Sequence, residues 1–200
     1  MSNKITLKSI VLASSNTGKL REFRQLLAHK NLTVLPQSDF QIPDADETGL
    51  TFVENALIKA RHASQLSGLP ALADDSGLVI PALDGAPGIY SARYAGLERD
   101  NQRNIQKVLD NLSGLTGQQR EAHFHCTLVL IKSPNDPDPI VAQGRLNGSI
   151  TDTPSGSGGF GYDPIFYIEA KSKTAAELSS EVKNRISHRA KALQRLFEQI

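Results

Sequence analysis

Apolar positions along this chain follow two rhythms. Ile10-Val11-Leu12-Ala13 is an unbroken apolar run, the pattern of a short strand covered on both faces. It drives straight into the small, hydroxyl-rich turn Ser14-Ser15-Asn16-Thr17-Gly18-Lys19. From Leu20 the period lengthens, and Leu20, Phe23, Leu26 and Leu27 fall on one helical face. Residues 32–35 read as a second short strand, halted by Pro36. Thr51-Phe52-Val53-Glu54 is a capping box, and Val53, Ala56, Leu57, Ala60 and Ala63 form the stripe of the helix it opens. Gly68 ends that helix. Residues 69–73 are again strand-like and run into Asp74-Asp75-Ser76-Gly77, which the pattern places just beyond the strand's carboxyl end.

The second half changes character. Residues 78–83 predict a strand closed by an Asp84-Gly85 turn, and an irregular loop follows to near Gly96. Asp100 is positioned to cap a helix whose apolar face is Ile105, Val108, Leu109 and Leu112. Residues 122–131 form a long run fit for the middle of a sheet, and the Pro-rich link 133–139 returns it antiparallel into Ile140-Val141-Ala142. Residues 155–161 are dense in glycine, 162–168 are aromatic and β-prone, and Leu193, Leu196, Phe197 and Ile200 recur at helical spacing. Strands that alternate with helices and then pair antiparallel predict an α/β fold with a mixed central β-sheet flanked by helices. No repeat or domain linker interrupts it, so residues 1–200 are expected to form a single domain, with two lobes around a substrate cleft.

Composition sets the outer bounds. At 200 residues, with 39% hydrophobic and 22% charged residues, the chain has ordinary globular values and enough apolar material for a core. A formal net charge of +1 supplies no long-range field for nucleic acid or a membrane surface, so any anion site must be a local cluster. Cys126 is the only cysteine, which rules out an intrachain disulfide and fits a reducing compartment. No run approaches the roughly 20 apolar residues that span a bilayer. Met1-Ser2-Asn3-Lys4 does not open a secretory signal, and a cytoplasmic protein is expected.

Candidate chemistry begins at the first turn. The N–H groups freed at a helix start, the helix dipole and the Lys19 charge together favour phosphate. The turn is not a P-loop: Ala13 stands at the first glycine position and Leu20 follows Lys19 where a Ser or Thr would hold Mg²⁺, so a metal must be held elsewhere. Asp74 and Asp75 on extended chain point opposite ways. A carboxylate there suits Mg²⁺, with Glu47 as a second ligand, and a turn held by Asx hydrogen bonds is the competing reading. In Gly158-Gly159-Phe160-Gly161-Tyr162-Asp163-Pro164 the aromatic ring can stack on a nucleobase or plug the core, and Asp163 can accept hydrogen bonds from ring or sugar. Ser187-His188-Arg189, with Lys183 one turn upstream, offers donors to a carbonyl or caps a helix. His123 and His125 read as neighbours on one strand face rather than metal ligands.

Five runs carry a resemblance. Ser14-Ser15-Asn16-Thr17-Gly18-Lys19, Ala73-Asp74-Asp75-Ser76-Gly77-Leu78, Gly85-Ala86-Pro87-Gly88-Ile89-Tyr90-Ser91-Ala92-Arg93, Gly159-Phe160-Gly161-Tyr162-Asp163-Pro164 and Ser187-His188-Arg189 resemble, in order and at fitting spacing, the signature runs of the non-canonical purine NTP pyrophosphatases, also called inosine/xanthosine triphosphate pyrophosphatases. The resemblance implies a Mg²⁺-dependent cytoplasmic homodimer. Its reaction would convert ITP, dITP and XTP to the monophosphate and pyrophosphate, keeping deaminated purines out of DNA and RNA. It further implies that Ser14, Ser15, Asn16, Thr17, Gly18 and Lys19 hold phosphate, with Lys59 a further candidate. Glu47 and Asp75 would hold the metal, Asp75 would also accept the proton, and Ser76 would touch substrate. Phe160, Gly161, Tyr162 and Asp163 would hold base and sugar, and Lys183, His188 and Arg189 would complete the base and phosphate contacts. Two other readings compete: an aspartyl-nucleophile phosphatase of the haloacid-dehalogenase type, for which the second aspartate is misplaced, and a nucleotide sensor without turnover.

Overall fold

The computed structural model describes residues 8–28 and 32–200. The Met1-Ser2-Asn3-Lys4 reading therefore lies outside the described residues. In chain order the elements are β1 (Ser9–Ala13), α1 (Thr17–Leu27), β2 (Thr33–Pro36), α2 (Phe52–Ser67), β3 (Ala71–Val79), α3 (Asn101–Asn111), β4 (Glu121–Ile131), β5 (Ile140–Ile150), β6 (Phe166–Ile168), β7 (Lys173–Thr174), α4 (Ser180–Ile186) and α5 (His188–Phe197). Short 3-10 turns join several of them. The strands hydrogen-bond in the order β2-β1-β3-β4-β5-β6-β7, one mixed seven-stranded sheet.

The sheet is mixed because of its connections. Helices α1 and α2 supply the crossovers that parallel pairing requires, and β1 is parallel to both β2 and β3. The link 132–139 is too short for such a crossover. Gln143 meets Thr127 and Arg145 meets His125, so numbers rise on β5 as they fall on β4, the signature of an antiparallel pair. Strands β5, β6 and β7 continue antiparallel. Pro36, which lacks an N–H for the ladder, is tolerated because β2 is the edge strand.

The chain forms two compact units, one of residues 1–75, 126–144 and 189–200, the other of residues 76–125 and 145–188. In the first unit β1 presents Ile10 and Leu12 to a core with Phe23, Leu27, Leu72, Leu128, Leu193 and Leu196. The alternate residues Val11 and Ala13 meet Ala56, Ala60 and Ala63 of α2. The second unit has its own core, built on Leu78, Ile80, Val108, Leu112, Phe124, Leu146, Ile165 and Phe166. Among the described residues no helix is long and apolar enough to cross a membrane.

Four elements differ from the sequence reading, and one is the strand expected over residues 78–83, which ends at Val79 and gives way to a 3-10 turn, Pro81–Leu83, because Pro81 cannot donate to the ladder. Strand β3 does not stop before Asp74: it runs unbroken through Asp74-Asp75-Ser76-Gly77 to Val79. The two aspartates thus lie within the strand rather than just past its carboxyl end, each paired with a lysine. Gly77 serves close packing rather than a turn, since a Cβ there would lie 2.2 Å from the Gly88 carbonyl oxygen and 2.5 Å from Ser91 Oγ. Strand β5 extends well beyond Ala142, with Ala142, Gly144 and Leu146 buried and the residues between them exposed. Its period of two was hidden by Gly144 and by polar outward residues. The loop after Pro87 contains a 3-10 turn, Gly88–Arg93.

The start of α2 carries both halves of the capping box: Glu54 N–H donates to Thr51 Oγ1 at 3.2 Å and Glu54 Oε2 accepts from Thr51 N at 2.8 Å. Thr51→Ala removes one half, and urea unfolding is expected to show a loss of about 1 kcal/mol.

Candidate functional site

The first unit assembles a cationic, carboxylate-lined cluster. Helix α1 begins at Thr17, where Asn16 turns from extended backbone and its side-chain oxygen accepts from Lys19 N at 3.1 Å. Ser14 Oγ accepts from Asn16 N at 3.3 Å, and Ser15 Oγ donates to Asp44 Oδ2 at 2.8 Å. The turn is therefore held by its own side chains and by Asp44, and Asn16 caps one of the first-turn N–H groups of α1. Lys19, in that first turn, reaches back to form an ion pair with Asp74 Oδ1.

Consecutive residues of β3 serve different partners, as alternation along a strand dictates. Asp74, 1% exposed, receives Lys19 on one oxygen. Its other oxygen accepts from Arg189 Nε at 3.1 Å and from the Cys126 thiol at 3.1 Å. Burial penalises its charge, but Arg189 and Lys19 outweigh that and hold it well below the usual carboxylate range. The neighbouring thiol is pushed well up by burial and by Asp74, so Cys126 stays a neutral donor. Arg189 is also ion-paired with Glu22 on α1.

Asp75 faces a different set. Lys59 Nζ, from α2, lies 2.7 Å from Asp75 Oδ1 and 2.8 Å from Glu47 Oε1. Burial disfavours the Lys59 charge, yet Asp75 and Glu47 win and hold its pKa above the ordinary value. For Asp75 burial prevails: its pKa is raised although Lys59 and Lys19 pull it down, and Glu47 adds to the rise. Asp75 Oδ2 is buried with no hydrogen-bond partner among the described residues. Two hard carboxylates that already converge on one ammonium, with a buried oxygen in want of a partner, fit a divalent cation such as Mg²⁺.

The second unit gathers the aromatic and donor residues. Asp163 is buried, accepts from Phe160 N at 2.7 Å and is ion-paired with Lys183. The Lys183 ammonium stands 5.0 Å from the centre of the Phe160 ring. Phe160 is only half-buried, so it is not a core plug. Tyr162, by contrast, is buried and donates its hydroxyl to Ser91 O at 2.8 Å; burial raises its pKa, and it supports the loop from beneath. Ser91 Oγ in turn accepts from Leu78 N at 2.9 Å and donates to Gly88 O at 2.6 Å, so this run braces the last residues of β3. His188 is buried and stacks on Phe124, ring centres 5.0 Å apart at 17°.

Ser14 to Lys19, Glu47, Asp75 and Arg189 thus gather in the first unit, and Ser76, Phe160 to Asp163, Lys183 and His188 in the second. Glu22 escaped the sequence reading. Its signal is its place three residues beyond Lys19, on the same face of α1. The sequence placed Asp74 and Asp75 on opposite faces but left the part of Asp74 open; its contacts with Lys19, Arg189 and Cys126 have no counterpart in local sequence.

The sequence pattern of the Ham1 family matches residues 10–199. A dITP/XTP pyrophosphatase from Legionella pneumophila (strain Lens) is 54% identical over 190 residues, which cover 95% of this chain and 97% of the relative. One from Escherichia coli (strain K12) is 50% identical over 192 residues, covering 96% and 98%. The solved structure of a HAM1 protein from Coxiella burnetii superimposes with a TM-score of 0.89 at 50% identity, over 96% of this chain and 98% of that one.

Carboxyl titration tests the electrostatics directly. By ¹³C NMR of metal-free protein, Asp75 is expected to titrate above an ordinary aspartate and Asp74 well below one. Lys59→Met removes a group that lowers Asp75, so the Asp75 titration should move further up.

Proposed function

We propose that this chain, which belongs to the Ham1 family, hydrolyses the deaminated purine nucleoside triphosphates ITP, dITP and XTP to the nucleoside monophosphate and pyrophosphate. The observation that carries the reading is on β3: successive carboxylates, Asp74 and Asp75, each bind an ammonium group, Lys19 and Lys59, and Lys19 stands at the mouth of α1. A triphosphate tail meets cations and exposed N–H donors there, beside a carboxylate able to take a proton. The names of the relatives support the same chemistry.

In this reading the turn from Ser14 to Lys19 holds phosphate, and Glu47 and Asp75 hold Mg²⁺. When bound, the ion neutralises triphosphate charge and polarises the phosphoryl oxygens. Asp75 orients a water and accepts its proton as the water oxygen bonds to the α-phosphorus. The bond from that phosphorus to the bridging oxygen breaks, and pyrophosphate leaves with its charge met by Lys19 and Lys59. Phe160 offers its ring to the purine, with Gly161, Tyr162 and Asp163 shaping the loop for base and sugar. Ser76 adds a hydroxyl contact. His188 and Arg189 direct donors at the 6-oxo edge, where adenine carries an amine, and Lys183 completes the base and phosphate contacts.

We further propose that residues 1–200 act as one domain, since both units are discontinuous in sequence and no single cut leaves either complete. A cytoplasmic homodimer follows from the family resemblance. Nucleic acid and membranes are not partners in this reading.

A panel of ITP, dITP, XTP, ATP and GTP with Mg²⁺ or EDTA, with pyrophosphate and orthophosphate measured separately, tests the proposal. Pyrophosphate from the deaminated purines, lost with EDTA and reduced roughly 10²–10⁴-fold in Asp75→Asn, is expected. In ¹⁸O-water the label should enter the monophosphate. Orthophosphate as the first product, or label confined to pyrophosphate, overturns the reading.

A further inference from the structure

One buried polar side chain of the first unit is unaccounted for by this chemistry. Asn55, in the second turn of α2, is 0% exposed. Its Oδ1 accepts from Gly49 N at 2.8 Å, while its Nδ2 is buried with no hydrogen-bond partner among the described residues. A buried donor left unmatched is a standing loss that an apolar residue would avoid, so stability alone does not explain an amide here.

What the amide grips is the segment that carries Glu47. Gly49 is two residues beyond Glu47, and its backbone is pressed so closely on α2 that an added Cβ would lie 2.6 Å from Glu54 Cβ and 2.7 Å from Asn55 Oδ1. Only glycine permits that approach. One turn further along the same face of α2 stands Lys59, whose ammonium joins Glu47 to Asp75. Asn55 thus ties the Glu47 segment to the helix that presents Lys59, and the separation of Glu47 from Asp75 depends on that tie.

We propose that Asn55, with Gly49 as its fitted partner, is a positioning latch that sets Glu47 at the distance from Asp75 needed to share a divalent cation. The proposal rests on the reading that Glu47 and Asp75 hold Mg²⁺. Neither Asn55 nor Gly49 touches the ion; they act through Glu47. Groups that orient a metal ligand in this way commonly govern affinity by 10- to 100-fold.

The test is Mg²⁺ binding to the intact, substrate-free protein by calorimetry, with Mn²⁺ binding by electron paramagnetic resonance as a second readout. Asn55→Ala is expected to weaken both by roughly tenfold or more. Gly49→Ala, which displaces the same segment without touching the amide, should do likewise and serves if Asn55→Ala fails to fold. The deciding measurement is a double-mutant cycle with Glu47→Gln. A latch acting through Glu47 loses its effect on affinity once that carboxylate is gone. An Asn55→Ala penalty that persists undiminished in the Glu47→Gln background, or wild-type affinity in both latch variants, overturns the proposal. If Glu47→Gln and Asp75→Asn leave Mg²⁺ affinity untouched, the metal reading itself fails and the latch with it, a result distinct from either of those.

Discussion

Two adjacent carboxylates inside a strand are the constraint around which this protein is organised. Burying one ionised aspartate is costly, and burying two in succession is tolerable only because the strand sends them to opposite faces and each meets its own cations. Asp74 draws Lys19 and Arg189, and Asp75 draws Lys59. These demands reach α1, α2 and α5, so the positions of three helices are tied to the charges of one strand. The energetic logic is asymmetric. A complete set of partners makes the cluster bearable, while loss of any one strands a charge in a medium that screens it poorly. The cluster therefore specifies an arrangement more than it adds stability.

Much of the frame was legible in the sequence because local chemistry and tertiary demand agree there. The β1-turn-α1 unit, the capping box at Thr51, the Gly68 stop and the Asp100 cap all appear where composition placed them. Such features depend on neighbours a few residues away, which the sequence displays. Where the reading stopped short, distant partners decide. Polar residues at 74–77 look like a turn until Lys19, Lys59 and Arg189 supply their charge from elsewhere in the chain. Strand β5 was truncated at Ala142 because a glycine and exposed polar residues conceal an alternation that only the sheet reveals. The same division applies to the candidate site. Residue types announced an anion turn and a carboxylate pair, whereas Glu22, Asn55 and the second role of Asp74 consist of long-range contacts.

Two of the four places where the chain passes from one unit to the other fall inside the signature runs. Asp75 ends a segment of the first unit and Ser76 opens one of the second; His188 and Arg189 divide in the same way. His188 stacks on Phe124 while Arg189, the next residue, turns to Asp74 and Glu22. Motifs that read as contiguous words in the sequence are thus shared between two packing environments. The other three runs, Ser14 to Lys19, Gly85 to Arg93 and Gly159 to Pro164, each lie within one unit.

The proposed cation site rests on the charges of the Glu47–Lys59–Asp75 arrangement. Two carboxylates share one ammonium, so the group retains an excess of negative charge even with Lys59 fully protonated. The Lys59 shift reflects that excess, while the rise at Asp75 is chiefly the effect of burial. Burial works against the Lys59 charge, yet its proton is held more tightly than usual because two anions face it. Asp75 holds its own proton more tightly, because burial and Glu47 together outweigh the lysines that oppose them. An added divalent ion would relieve Asp75 and reverse its shift without demanding any change at Asp74, whose charge is already met by Arg189 and Lys19. The strand thereby separates one carboxylate whose charge is met by Arg189 and Lys19 from one whose pKa burial raises, and the proposed mechanism draws its metal ligand and proton acceptor from the latter.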